Sequence, residues 1–144
     1  MREKNILVDM KLGQEIPPLK VKVERKIYKK YNRLIKEINP MHLSKFYVQK
    51  LGYEDVLVAG NFLYSYIPKW IIDWIGAENV NAIKNINVKF ENAVYPDEEI
   101  ILNGSVIDLE KLENNTQMVK CEFHVEKTNG ERVFNGNINL MSSD

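Results

Sequence analysis

Residues 37–42 read "EINPMH" and place a carboxylate (Glu37), an amide (Asn39), a proline (Pro40) and an imidazole (His42) within six positions. The chain has only 2 histidines, so His42 is one of few side chains whose charge changes near neutral pH. A carboxylate and an imidazole held around one water make a general acid–base pair. The plain alternative is a helix end that carries a surface histidine. Asn-Pro gives the chemical reading a geometry. The residue before a proline is pushed out of the helical region, and an asparagine side chain can bond its own backbone in the bend. Glu37 before such a corner and His42 after it can face one space.

A second candidate is "LVAGNFL", residues 57–63. Gly60 stands where a very apolar stretch begins, flanked by Ala59 and Asn61. The first N–H groups of a helix lack partners and carry partial positive charge. Glycine there allows close approach to the backbone, so a carbonyl oxygen gaining negative charge could be held. The plain alternative is a glycine that only starts a helix. Ala59, Gly60 and Asn61, with Asn39, form the candidate oxyanion and substrate-binding set.

Other chemistry-bearing residues read as structural. His124 alternates with glutamates on the polar side of a strand, and Cys121 lies on its apolar side. Tyr64, Tyr66, Trp70 and Trp74 at helical spacing read as core. No phosphate-cradling glycine loop, nucleophile elbow or metal-ligand cluster is present in the sequence.

Both candidates depend on the elements that carry them. Leu19, Val21 and Val23 alternate with lysines after Pro17-Pro18, predicting a short strand. From Arg25 to Ile38 the spacing of Ile27, Tyr31, Leu34, Ile35 and Ile38 predicts a helix ending at Asn39, with Glu37 in its last turn. "LSKFYVQKLG" predicts a short helix closed by Gly52. "GNFLYSYIPKWIIDWIG" is apolar on nearly every side, which predicts a central covered helix kinked or split by Pro68 and stopped by Gly76. The remainder alternates as strands around Ile83–Phe90, after the Pro96-Asp97 turn, and in a hairpin turning at Thr128–Glu131. The order predicts an α+β domain over residues 1–144, an antiparallel sheet around one buried helix.

Composition narrows the partners. Twenty basic and 20 acidic residues cancel, and the basic run Lys20–Lys36 reads as the wet face of a helix, so nucleic acid is not expected. Pro68, Lys69 and Asp73 interrupt the most apolar segment, arguing against a membrane span. One cysteine and an amino-terminal apolar run of only Ile6–Val8 lead to the expectation of a cytoplasmic protein.

"YNRLIKEINPMH" resembles the helix-exit motif of the MaoC-like hotdog dehydratases, which include R-specific enoyl-CoA hydratases and (3R)-hydroxyacyl thioester dehydratases. Their helix ends in Asp-x-Asn-Pro-x-His, where this chain has Glu37, Asn39, Pro40 and His42; their later helix opens on His-Gly, where this chain has Ala59 and Gly60. The likeness continues through "IKNINVKFENAVYPDEEIILNGSV" and the closing "KTNGERVFNGNINL". It implies a hotdog fold, a curled antiparallel sheet around a long central apolar helix, and reversible hydration of an enoyl thioester carried on coenzyme A or an acyl carrier protein. Glu37 and His42 would activate the water, and the Gly60 N–H would hold the thioester oxygen. No metal or redox cofactor is implied. A homodimer is implied, with a heterodimer with a paralogous hotdog subunit as the alternative. The Glu37 and Ala59 departures keep open a non-catalytic acyl-binding subunit, and a hotdog acyl thioesterase is a third reading.

Overall fold

The computed structural model describes residues 6–113 and 116–142; Met1–Asn5 of the amino-terminal stretch lie outside them. The first strand, β1 (Glu15–Lys22), begins before the two prolines that were expected to precede it. It can do so because it lies at one edge of the sheet, where a missing N–H leaves no central ladder bond broken. A bulge between Ile16 and Leu19 absorbs Pro17-Pro18. The carbonyl of Pro17 accepts the Trp70 indole N–H at 2.7 Å.

Helix α1 (Arg25–Leu34) follows, then two short helices, α2 (Pro40–Leu43) and α3 (Lys45–Lys50). Ser44 caps α3 by accepting the Tyr47 N–H. The apolar helix is in two pieces, α4 (Gly60–Tyr64) and α5 (Tyr66–Ile75), and Gly76 at φ +92° ends it as its sequence predicts. The break falls at Ser65, and Pro68 lies in the first turn of α5. Proline 68 has no N–H to give the Tyr64 carbonyl four residues back, so the ladder opens there. A lost backbone bond is worth about 1 kcal/mol net, whereas burying each large apolar side chain contributes about 1.5–3 kcal/mol. Ile67, Trp70, Ile71 and Ile75 are all buried, so packing holds α5 in place despite the break.

A 3-10 turn (Ala77–Ala82) leads into β2 (Ile83–Phe90), β3 (Glu99–Lys111), β4 (Gln117–Lys127) and β5 (Arg132–Met141). All pairings are antiparallel, in the spatial order β1-β3-β4-β5-β2. The β4–β5 turn falls as expected, with Gly130 at φ +89° and its N–H on the Lys127 carbonyl at 2.9 Å. Val119, Cys121, Phe123 and Val125 on β4 are buried, with Leu102, Phe134 and Ile138 from the neighbouring strands. Against this face lie Phe62, Leu63, Trp70 and Ile71 of the broken helix. Trp70 meets Phe123 edge-on, ring centres 6.3 Å apart. The result is the hotdog arrangement of the α+β class. Among the described residues, no helix is long and apolar enough to cross a membrane.

Candidate active site

The helix exit differs from its sequence expectation. α1 stops at Leu34, and Lys36 takes a left-handed conformation at φ +54°. The Glu37 N–H then reaches the Asn32 carbonyl at 2.9 Å and the Lys36 N–H reaches Arg33 at 3.3 Å, which closes the helix with paired reversed bonds. Of the apolar residues expected to face inward, Tyr31 packs against the core, where its ring meets Phe62, but most of the others do not. Ile27, Leu34 and Ile38 are 53%, 73% and 88% exposed, while Tyr28 and Asn32 are buried. A further helical turn would therefore have buried little apolar surface, and Pro40 forbids its continuation. Glu37 stands outside the helix, not in its last turn.

Beyond this closure the backbone is held by its own side chains. Oε1 of Glu37 accepts the N–H groups of Ile38 at 3.1 Å and Asn39 at 3.0 Å. Asn39 Oδ1 accepts the Met41 N–H at 3.0 Å, and Pro40 occupies the first position of α2, where no N–H is needed. His42 follows on α2.

Nδ1 of His42 lies 2.8 Å from the Leu57 carbonyl oxygen. A carbonyl can only accept, so Nδ1 carries the hydrogen in the neutral ring and Nε2 keeps a free lone pair. The same carbonyl accepts the Tyr28 hydroxyl at 3.0 Å, and the Tyr28 oxygen accepts the Ala59 N–H at 2.8 Å. Burial pushes the Tyr28 hydroxyl above its ordinary range, with a weaker opposing effect from the Ala59 N–H, so it remains a donor. Met41 and Val94 carbonyls receive the N–H groups of Leu57 and Val58. Residues 57–59 are thus tied to α1, α2 and the segment before β3. Farther out, Arg25 binds Asp55 at 2.5 Å and Asp97 at 3.2 Å, which anchors the start of α1.

His42 lines two cavities. A cleft of about 610 Å³ is lined by Tyr28, Asn32, Lys36, Glu37 and His42, among others. A groove of about 320 Å³ is lined by His42, Gly60, Leu63, Phe90 and Val94, among others. His42 is common to both. Glu37 and His42 therefore share one cavity, and His42 and Gly60 share the other, while Glu37 and Gly60 share neither. Gly60 is the first residue of α4, and a Cβ there would lie 3.1 Å from the Phe90 ring. The N–H groups of Gly60 and Asn61 belong to the first helical turn and have no acceptor within it.

Asn39, Ala59 and Asn61 line neither cavity. Asn39 is an exposed cap, Asn61 is exposed, and buried Ala59 has its N–H on Tyr28. Tyr28, Asn32 and the Leu57 carbonyl are absent from the sequence reading. The available signal was the i, i+4 spacing of Tyr28 and Asn32 along the edge of the apolar stripe. Asn32 Nδ2 donates to the His42 carbonyl at 3.4 Å, and its buried Oδ1 has no hydrogen-bond partner among the described residues.

His124 lies elsewhere, over the outer side of β4 beside Glu122 and Glu126. Cys121 is buried, which pushes its thiol up to about 12. Among the described residues, no group of three or more His, Cys, Asp or Glu side chains is placed to hold a metal ion.

A family model for the MaoC like domain matches residues 9–130. The chain is similar to the (R)-hydratase from A. caviae involved in PHA biosynthesis, with a TM-score of 0.78 and 16% identity over 92% of this chain and 96% of that one. The R-hydratase PhaJ1 from Pseudomonas aeruginosa aligns at 0.76 with 18% identity over 97% and 87%. The HadBC (3R-hydroxyacyl-ACP dehydratase) complex from Mycobacterium tuberculosis aligns at 0.69 with 16% identity over 91% and 96%. At such identities the structural likeness is one of fold. A search of curated proteins found no match. The family match spans most of the chain and agrees with its sheet and central helix: the chain belongs to the MaoC-like dehydratase family.

Proposed function

We propose that this chain hydrates enoyl thioesters and, in reverse, dehydrates (3R)-hydroxyacyl thioesters. The observation that carries the reading is His42, whose Nδ1 is engaged by the Leu57 carbonyl and which lines both the Glu37 cleft and the Gly60 groove. In hydration, Nε2 takes a proton from water as the water oxygen bonds to carbon 3 of the enoyl chain. The double-bond electrons shift to the thioester oxygen, where the Gly60 N–H holds the developing enolate. Collapse of the enolate takes a proton at carbon 2 from the Glu37–His42 pair. One water is added and no electrons are exchanged, so the reaction as written needs no metal or redox cofactor. The working unit in this reading is a homodimer.

A second reading is supported by the bonds at Glu37. Its Oε1 already accepts two backbone N–H groups, a loop-holding role that a non-catalytic subunit of a heterodimer would share. Loss of the conjugated absorbance of a trans-2-enoyl-CoA decides between them. Turnover by the purified chain, abolished in His42→Asn, supports catalysis. An inert chain that becomes active only with a paralogous subunit supports the second reading, and thiol release without hydration would indicate a thioesterase.

A further inference from the structure

Tyr28 is buried, and its ring is held by two aromatic neighbours, edge-on to Phe62 with centres 5.1 Å apart and beside Tyr31 at 6.5 Å. The hydroxyl is thereby fixed in place. It donates to the Leu57 carbonyl at 3.0 Å and accepts the Ala59 N–H at 2.8 Å, so one oxygen spans residues 57 and 59. Accepting the second bond strengthens the first.

The two bonds lead to different parts of the site. A carbonyl oxygen has two lone pairs, and that of Leu57 also accepts His42 Nδ1 at 2.8 Å. On the other side, the Ala59 carbonyl and the Gly60 N–H belong to one planar peptide. That carbonyl accepts the Phe62 and Leu63 N–H groups at 3.1 and 3.2 Å. Alanine has no side-chain acceptor with which to cap α4. The Tyr28 hydroxyl on its N–H and the helix on its carbonyl hold Ala59 at φ −64° and ψ 141°, and so aim the Gly60 N–H. His42 and Gly60 line the same groove. The base and the oxyanion donor are therefore tied to one point on α1. Tyr31 also packs on Phe62, but its hydroxyl has no hydrogen-bond partner among the described residues.

We propose that Tyr28 is a positioning residue for hydration: its hydroxyl sets the separation between the His42 ring and the Gly60 N–H. The inference rests on the hydratase reading for the reaction itself. It adds a residue that acts through two others. Proton transfer at His42 and enolate formation at Gly60 must happen on one thioester, so their spacing has to be held to about 0.5 Å. An error of about 1 Å costs on the order of 10²-fold in rate.

Tyr28→Phe removes the oxygen and keeps the ring. Well below its melting midpoint, the variant should turn over a trans-2-enoyl-CoA with kcat lowered about 10–10²-fold and KM changed less than about threefold. Tyr31→Phe makes the same deletion on the neighbouring ring and should change neither. A second measurement needs no substrate. Exchange of the His42 Nδ1–H with water is followed by NMR in a His124→Gln background, which leaves one imidazole. Exchange should quicken on the order of tenfold in Tyr28→Phe and stay unaltered in Tyr31→Phe. A tyrosine that merely fills the core would lower the melting midpoint and move neither kcat nor the exchange rate, and that result overturns the assignment. Should Tyr28→Phe not fold, p-aminophenylalanine at position 28 carries the test. It keeps a donor for Leu57 and offers Ala59 a weak acceptor, so kcat should fall severalfold; an unchanged kcat overturns the assignment. Hydration by the unmodified chain with normal kcat in Tyr28→Phe would sink the role of Tyr28 and leave the hydratase reading intact. An unmodified chain without hydratase activity would sink that reading instead, and the exchange rate would then decide the tie between Tyr28 and His42.

Discussion

At the scale of single residues, the contact between His42 Nδ1 and the Leu57 carbonyl decides which ring nitrogen is available as a base. Asparagine can place its amide N–H near the Nδ1 position but supplies no base. His42→Asn should therefore keep the loop anchored, with an unchanged thermal midpoint, while turnover of an enoyl-CoA falls about 10²–10⁴-fold. Glu37→Gln preserves an acceptor for the Ile38 and Asn39 N–H groups and removes only the charge. A loss of turnover at unchanged stability would assign the carboxylate a chemical role, whereas full activity would leave it as a loop cap. Gly60→Ala puts a methyl group 3.1 Å from the Phe90 ring without straining the backbone. We expect stability to change little and kcat/KM to fall on the order of 10–10²-fold through misplacement of the thioester. Combining it with Phe90→Ala should recover part of that loss if crowding is the cause.

At the scale of elements, α1 shows how tertiary context reassigns a helix face. Ile27, Leu34 and Ile35 of its apolar stripe are exposed, Tyr31 is half-buried against the core, and its fully buried residues are Tyr28 and Asn32. Its termination uses Lys36 in a left-handed conformation, which disfavours any residue with a Cβ. Lys36→Gly should raise unfolding stability by about 0.5–1 kcal/mol in a denaturant titration.

At the scale of the whole molecule, the Arg25–Asp55 pair joins the start of α1 to the loop before α4, and so sets the distance between the two halves of the site. The Arg25 guanidinium holds the Asp55 carboxyl below its ordinary value of 3.8, and burial opposes this more weakly. A carboxyl whose folded pKa is depressed contributes stability in full above its unfolded pKa, and that contribution is lost as pH falls through the folded one. The pair is half-buried, so Asp55→Asn should lower stability at neutral pH by about 1–2 kcal/mol, between the values for exposed and buried pairs. The difference between wild type and variant should shrink once the pH drops below about 4. Thermal unfolding from pH 7 to pH 3 measures both.

Period and punctuation settled the strands after α5, the β4–β5 turn, the end of α5 at Gly76 and the location of a bend at Asn39-Pro40, because alternation, glycine and proline act within a few residues. The pairing of Glu37 with His42 in one cavity was legible for the same reason, since only four residues, one of them Pro40, lie between them. The stop of α1 at Leu34, the exposure of Ile27, Leu34 and Ile38, and the burial of Tyr28 and Asn32 were not. A helix pattern shows which residues share a face, and only the packing partner determines which face turns inward. Nor could local sequence show that Leu57, 15 residues from His42 and 29 from Tyr28, would orient the ring of one and accept the hydroxyl of the other. Those contacts exist because the sheet and the broken helix bring distant backbone together, and it is they that leave Nε2 as the unprotonated nitrogen of the neutral His42 ring.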